Sequence, residues 1–242
     1  MDANQKSNGT FGSMKQLATY YDGARELSDS AYNRTIGLML IYGFGVNALI
    51  TYLTRIPILR MIYEYPESYS RFFLIFLVAY FALCIGGNSI MRNAETPGRC
   101  FLGYSMIVVP VGVVVSVGTS IYDPSLITRA MFLTCIVSAG MMLLGTLRPD
   151  FFERIGPSLG CALGVAILVE IVASLLFHYA STAIDWIVVI IMSLYIGFDW
   201  ARANQLQKTT RNAIVVSASL YLDIVNIFLR LLRILARSRR RD

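Results

Sequence analysis

The sequence predicts an all-α integral membrane protein with seven transmembrane helices, and three observations carry that prediction. Only 21 Lys and Arg and 15 Asp and Glu occur in 242 residues, a charged share of 15%, where an average soluble domain carries roughly 25%. The apolar types make up 56% and the mean hydropathy is +0.59, so too few polar side chains exist to solvate the surface of a globule. The chain also divides into seven apolar runs close to the ~20 residues that cross a bilayer as a helix. In hydrocarbon the helix is the open-ended solution that satisfies every backbone group. The same arithmetic excludes a disordered chain, a collagen and a disulfide scaffold.

Residues 1–34 form a polar N-terminal tail with four Lys/Arg, four Asp/Glu and no apolar signal-peptide core; one interfacial helical turn is expected around 17–27. The first span, 35–54, is charge-free between Arg34 and Arg55, and the second, 72–91, lies between Arg71 and Arg92. The third, 100–122, follows a short loop in which Pro97 and Gly98 act as breakers, and the fourth, 130–147, lies between Arg129 and Arg148. The last three spans each carry acid. Span 155–177 contains Glu170, span 183–198 starts with Asp185 and ends against Asp199, and span 213–233 holds Asp223. The transmembrane domain is thus 35–235. A basic tail, 236–242, suits a surface anchor on anionic lipid, and neither it nor the net charge of +6 calls for nucleic acid.

With the N-terminus cytoplasmic, eleven Lys and Arg of the tail and even-numbered loops face inside and four face outside, the bias of multi-pass proteins. The six arginines from Arg230 onward break this pattern. Seven full crossings would put them outside; a re-entrant last helix would put them inside.

Several chemistries are excluded by residue type. Cys84, Cys100, Cys135 and Cys161 lie in separate spans and read as small core residues. One histidine, His178, cannot build a His-rich zinc site, and no lysine lies within a span to carry a retinal Schiff base. No catalytic residue and no cofactor is assigned. The last span carries the strongest signal: Ser219, Asp223, Asn226, Arg230, Arg233 and Arg237 recur at spacings of 4, 3, 4, 3 and 4, which places them on one helix face. Such a stripe belongs against a bundle interior or an aqueous path. A helix lying on the membrane surface is the alternative, and the acid in its apolar middle argues against it. Asn88 sits one turn before Arg92, and Gly86-Gly87 would admit a close helix neighbour. Glu170 is a further embedded carboxylate, with a structural role weighed equally with a functional one.

Embedded carboxylates on adjacent helices suit two chemistries. Two acids that share a site titrate as a unit and can set helix contacts by their protonation; alternatively, an aspartyl dyad can activate water. The Gly-x-Gly-Asp motif of intramembrane aspartyl proteases is missing at both Gly197-Phe198-Asp199 and Tyr221-Leu222-Asp223, which favours sensing.

The stretch 219–233, SLYLDIVNIFLRLLR, resembles the C-terminal signature of the Bax inhibitor-1 (transmembrane BAX inhibitor motif) family, above all its bacterial YetJ-like members. Ser193-Leu194-Tyr195 with Asp199 resembles the preceding helix, and the 24-residue separation of Asp199 from Asp223 fits the family's di-aspartyl pair. The resemblance covers about residues 30–235 and is specific at the last two helices. It implies six helices packed around the C-terminal one and a pH-sensitive passive calcium leak. The titrating pair would be Asp199 and Asp223, gated with Arg92 and offering weak, transient Ca²⁺ contacts. Arg233 matches an arginine whose acidic partner in some members lies on the second helix, where this sequence has Phe81. Ser219, Asn226, Arg230, Arg233 and Glu170 are candidates for pore-lining or latch roles. The implied partners are the lipid bilayer, calcium ions and a membrane-protein partner; the implied location is the inner membrane of a bacterium or an endoplasmic-reticulum-type membrane. An interaction protein that modulates a protease or stress partners through its tail is the alternative.

Overall fold

The computed structural model describes residues 26–177 and 182–239 and arranges them in seven helices. These are α1 (Asp29–Glu64), α2 (Pro66–Arg92), α3 (Pro97–Ser120), α4 (Pro124–Leu147), α5 (Pro149–Phe177), α6 (Thr182–Gln205) and α7 (Thr210–Arg239). All seven are long and apolar enough to cross a membrane. Residues 1–25, His178 and the last three residues lie outside the described residues, and with them most of the expected tail turn.

Every helix outruns its charge-free core. Four of them open on proline, whose missing N–H is no loss in a first turn and whose fixed φ suits helix entry. Pro97 therefore starts α3 where a breaker was expected. The side chain of Thr96 caps α3 by accepting from Arg99 N, and Asp123 caps α4 by accepting from Ser125 N. Flanking charges such as Arg99 and Arg129 then lie inside helices whose ends reach the headgroup region, beyond the stretch that hydrocarbon keeps charge-free.

Helix α7 is the axis of the bundle. It packs on α1, α3, α4 and α6, while α2 packs chiefly on α3, and α5 on α6. Of the most apolar stretch of α7, 67% is buried, against 6% for α2. Leu74, Ile75, Val78 and Ile85 of α2 accordingly stand exposed, as lipid-facing residues do. One core, on Ile36, Ile196, Leu220 and Ile227, joins α1, α4, α5 and α6 to α7; a second, on Tyr104, Val108 and Tyr221, joins α2 and α3 to it.

Glycine sets two close helix approaches. A Cβ on Gly87 would lie 2.6 Å from the carbonyl oxygen of Gly103, and one on Gly103 would lie 2.6 Å from that of Gly87, so α2 and α3 meet backbone to backbone. A Cβ on Gly145 would lie 2.5 Å from the carbonyl of Gly197, which does the same for α4 and α6.

The two ends of the bundle are tied differently. At the N-terminal face, Leu27 N donates to Lys208 O at 2.7 Å, Gln207 donates to Glu26, and Lys208 pairs with Asp29. At the opposite face, Arg239 pairs with Asp123 at 3.5 Å and Arg237 with Asp185 at 2.9 Å. Helix α7 thus crosses the whole bundle without re-entry, and Arg230 to Arg239 lie toward the face opposite the chain's beginning.

Candidate functional site

Tyr195, Asp199 and Arg202 follow one another at spacings of 4 and 3 along α6 and share a face. Gly197, on another face, takes the close contact with α4 and the ring of Phe152. Asp199 is buried and accepts a hydrogen bond from the Ser219 hydroxyl of α7. Asp223 follows Ser219 by one helical turn, about 6 Å of rise, and its carboxylate and that of Asp199 interact electrostatically. Its Oδ2 is buried with no hydrogen-bond partner, a costly state for a carboxylate oxygen. Tyr195 feels both acids, and Cys161 of α5 approaches from a third side. The structure therefore brings together Asp199, Asp223 and Ser219 from the predicted set.

The cation that acts on Asp199 is Arg202, one turn further along the same helix, which also interacts with Tyr32 of α1. Arg92 is placed elsewhere. It is exposed at the end of α2, and its backbone carbonyl accepts from Nη2 of Arg211 at 3.2 Å.

The sequence matches the family described as Inhibitor of apoptosis-promoting Bax1 over residues 28–240, which is most of the chain. The protein belongs to this Bax inhibitor family. It is similar to the uncharacterized protein YrjE of Lactococcus lactis, 26% identical over 217 residues that cover 85% of this chain and 90% of the relative. It is similar to the same degree, 26% over 220 residues, to an uncharacterized protein of Borreliella burgdorferi, with 85% and 91% of the two chains covered.

In this Bax inhibitor family member a second polar centre lies along the same stripe, toward the far face. Arg230 meets Glu170 of α5 in a two-pronged contact, Nη1 to Oε1 at 2.8 Å and Nη2 to Oε2 at 2.6 Å. The same Nη1 donates to Oδ1 of Asp185 at 2.9 Å. Arg237 donates to Oδ2 of Asp185 at 2.9 Å, and Arg233 bridges Glu170 and Asp185 at 3.7 and 3.4 Å. Three guanidiniums thus face two carboxylates. Asp185, whose side chain is 3% exposed, is the hub. Reading the sequence span by span misses that role, although a signal existed. Only residues 206–209 separate α6 from α7, so the start of α6 must lie beside the end of α7, where the arginines are.

Arg211 is the other functional-looking residue without a sequence signal. It is buried at the start of α7 and donates to the carbonyls of Ala94 at 2.8 Å and Met91 at 3.4 Å, closing the C-terminal end of α2. Besides the adjacent Asn212 Oδ1 at 3.5 Å, these partners are backbone carbonyls at the negative end of a helix dipole, which no side-chain pattern announces. Asn226 is exposed and donates to Leu222 O. Phe81 is exposed on α2.

Among the described residues no group of three or more His, Cys, Asp or Glu side chains gathers as a metal site. Two carboxylates with hydroxyls of Ser219 and Tyr195 nearby would offer a hard cation few oxygen ligands, an arrangement for weak binding.

Proposed function

We propose that this membrane protein is a passive, pH-sensitive calcium leak, with Asp199 and Asp223 as the groups whose protonation sets its conductance. The single observation that carries this reading is the buried Oδ2 of Asp223, which has no donor and sits beside a second buried acid. A proton or a cation relieves that cost, and the two compete for the same oxygens. Exchange of one for the other shifts the balance between α6 and α7 through Ser219, which joins them. Conduction wants binding weak enough for the ion to leave, and two carboxylates with neutral hydroxyls meet that demand.

In this arrangement Arg202 is the cation that answers a change of charge on Asp199. Arg92 takes part through a shift of α2 toward the pair. Purified protein in liposomes loaded with a calcium dye tests the reading. Calcium influx above protein-free vesicles is expected, and influx equal to that of empty vesicles refutes it.

A second reading, a non-conducting interaction protein, has one observation in its favour. Residues 26–29 are pinned to the α6–α7 connection through Lys208 and Gln207, so a partner that pulls on the N-terminal segment would pull on that hairpin. Deletion of residues 1–25 leaves calcium influx at the wild-type level under the first reading, and abolishes cellular function, with no influx before or after, under the second.

A further inference from the structure

Helix α5 is tied to the axis of the bundle in an unusual way. Its packing is on α6, with a smaller contact on α4, yet one of its acids reaches α7 directly. The two helices run parallel. Cys161 interacts with Tyr195, which itself feels Asp199 and Asp223, and Glu170, nine residues on, meets Arg230. Between those contacts Asn226 of the stripe is exposed, so apolar packing of α5 does not cover the stripe there. What closes its far end is charge. The Glu170 carboxylate takes both prongs of Arg230, whose side chain is 13% exposed, and Asp185 holds the same guanidinium from α6. A two-pronged pair of this kind fixes geometry as well as attraction. A guanidinium held in a polar path is also a barrier to a cation.

We propose that Glu170 and Arg230 form a latch between α5 and α7 that closes the polar stripe at the face opposite the chain's beginning. This inference rests on the leak reading above and adds a second point of control to it. When Glu170 lets go, α5 keeps its seat on α6, Arg230 retains Asp185 alone, and the stripe from Asp223 past Asn226 opens toward the far face. Asp185 anchors the guanidinium; Glu170 is the part that releases.

The test compares wild type with Glu170→Gln, which keeps the shape and removes the charge, in the calcium-liposome assay at one pH. A rise in influx of roughly fivefold or more is expected, the lower range of coupling between linked sites. A parallel readout needs no calcium. Asn226→Cys, with Cys84, Cys135 and Cys161 replaced by Ser, is titrated with a membrane-impermeant thiol reagent, with and without Glu170→Gln. Faster labelling in the Glu170→Gln background is expected. A third sample, Glu170→Cys with Arg230→Cys in the same background, restores a low leak when the two thiols are joined by a short bifunctional reagent.

Influx at or below wild type together with unchanged labelling of position 226 overturns the latch while the leak reading stands. A wild type that does not leak overturns the leak reading, and the labelling rate then decides the latch by itself.

Discussion

Asp185→Ala offers a worked test of the charge cluster as structure. The Asp185 side chain, 3% exposed, accepts from Arg230 and Arg237 at 2.9 Å each and has Arg233 at 3.4 Å. Its removal leaves Arg230 and Arg233 to Glu170 alone and Arg237 with Thr182. Breaking a buried charge pair by removing one partner costs about 3–5 kcal/mol. Arg233 and Arg237 are about a third exposed, at 33% and 30%, and water screens them, so the low end, about 3 kcal/mol, applies. For a chain of this length that lowers Tm by roughly 6–12 °C, read by thermal unfolding in detergent micelles. Arg237→Gln, which removes a partner about a third exposed, costs about 1 kcal/mol or less. Asp185→Leu with Arg230→Leu costs less than Asp185→Ala alone, because the two least exposed charges of the cluster leave together, while Glu170 keeps Arg233 and the partly exposed Arg237 keeps Thr182. A melting point for Asp185→Ala within about 2 °C of wild type, or a double variant worse than the single one, refutes this account of the cluster.

Three further outcomes follow from particular contacts. Gly103→Ala drives a methyl to 2.6 Å from the Gly87 carbonyl and lowers stability by about 1–3 kcal/mol, whereas Gly140→Ala, with nothing within 4 Å, raises it by about 0.5–1 kcal/mol; melting points that move in the same direction contradict the packing. Arg211→Ala takes one donor from the carbonyls of Met91 and Arg92 at the end of α2 and from that of Ala94 just beyond it, and hydrogen exchange across 89–96 quickens while that of α4 does not. The Asp123 carboxyl is held below the usual carboxylate range, first by donation from Ser125 N and also by Arg239. A depressed value contributes order above the ordinary carboxylate pKa and loses it as pH falls through the lowered one. Protection of the Ser125 amide therefore drops at strongly acidic pH, below about 4, and Asp123→Asn, which keeps a capping oxygen, removes that step.

The seven-helix class was legible because hydrocarbon tolerates few charges, so Arg34 and Arg55, Arg71 and Arg92, Arg99 and Asp123, and Arg129 and Arg148 mark the first four spans without any knowledge of packing. Helix ends were less legible. Beyond the hydrocarbon a helix continues on its own capping and propensity, and a proline such as Pro97 opens a helix as readily as it ends one. The 3.6-residue repeat placed Ser219, Asp223 and Arg230 on one face, but a repeat names a face and not the neighbour it meets. The acid opposite the arginines is Glu170 on α5, with Asp185 as the hub, and both depend on how helices pair across the bundle. Arg202 escaped notice because an arginine near a span end looks like a headgroup anchor until a buried acid is found one turn away. Arg211 escaped because the partners that tie it across the bundle are backbone carbonyls at and just past the end of α2.

The most direct measurement is the pH profile of calcium influx for wild type and for Asp199→Asn with Asp223→Asn, in liposomes of one lipid composition. The double variant keeps the volume of both side chains and removes the titrating protons. The account predicts that influx varies with pH in wild type and is flat in the double variant. A double variant whose influx still follows pH as wild type does contradicts the claim that this pair is the sensor.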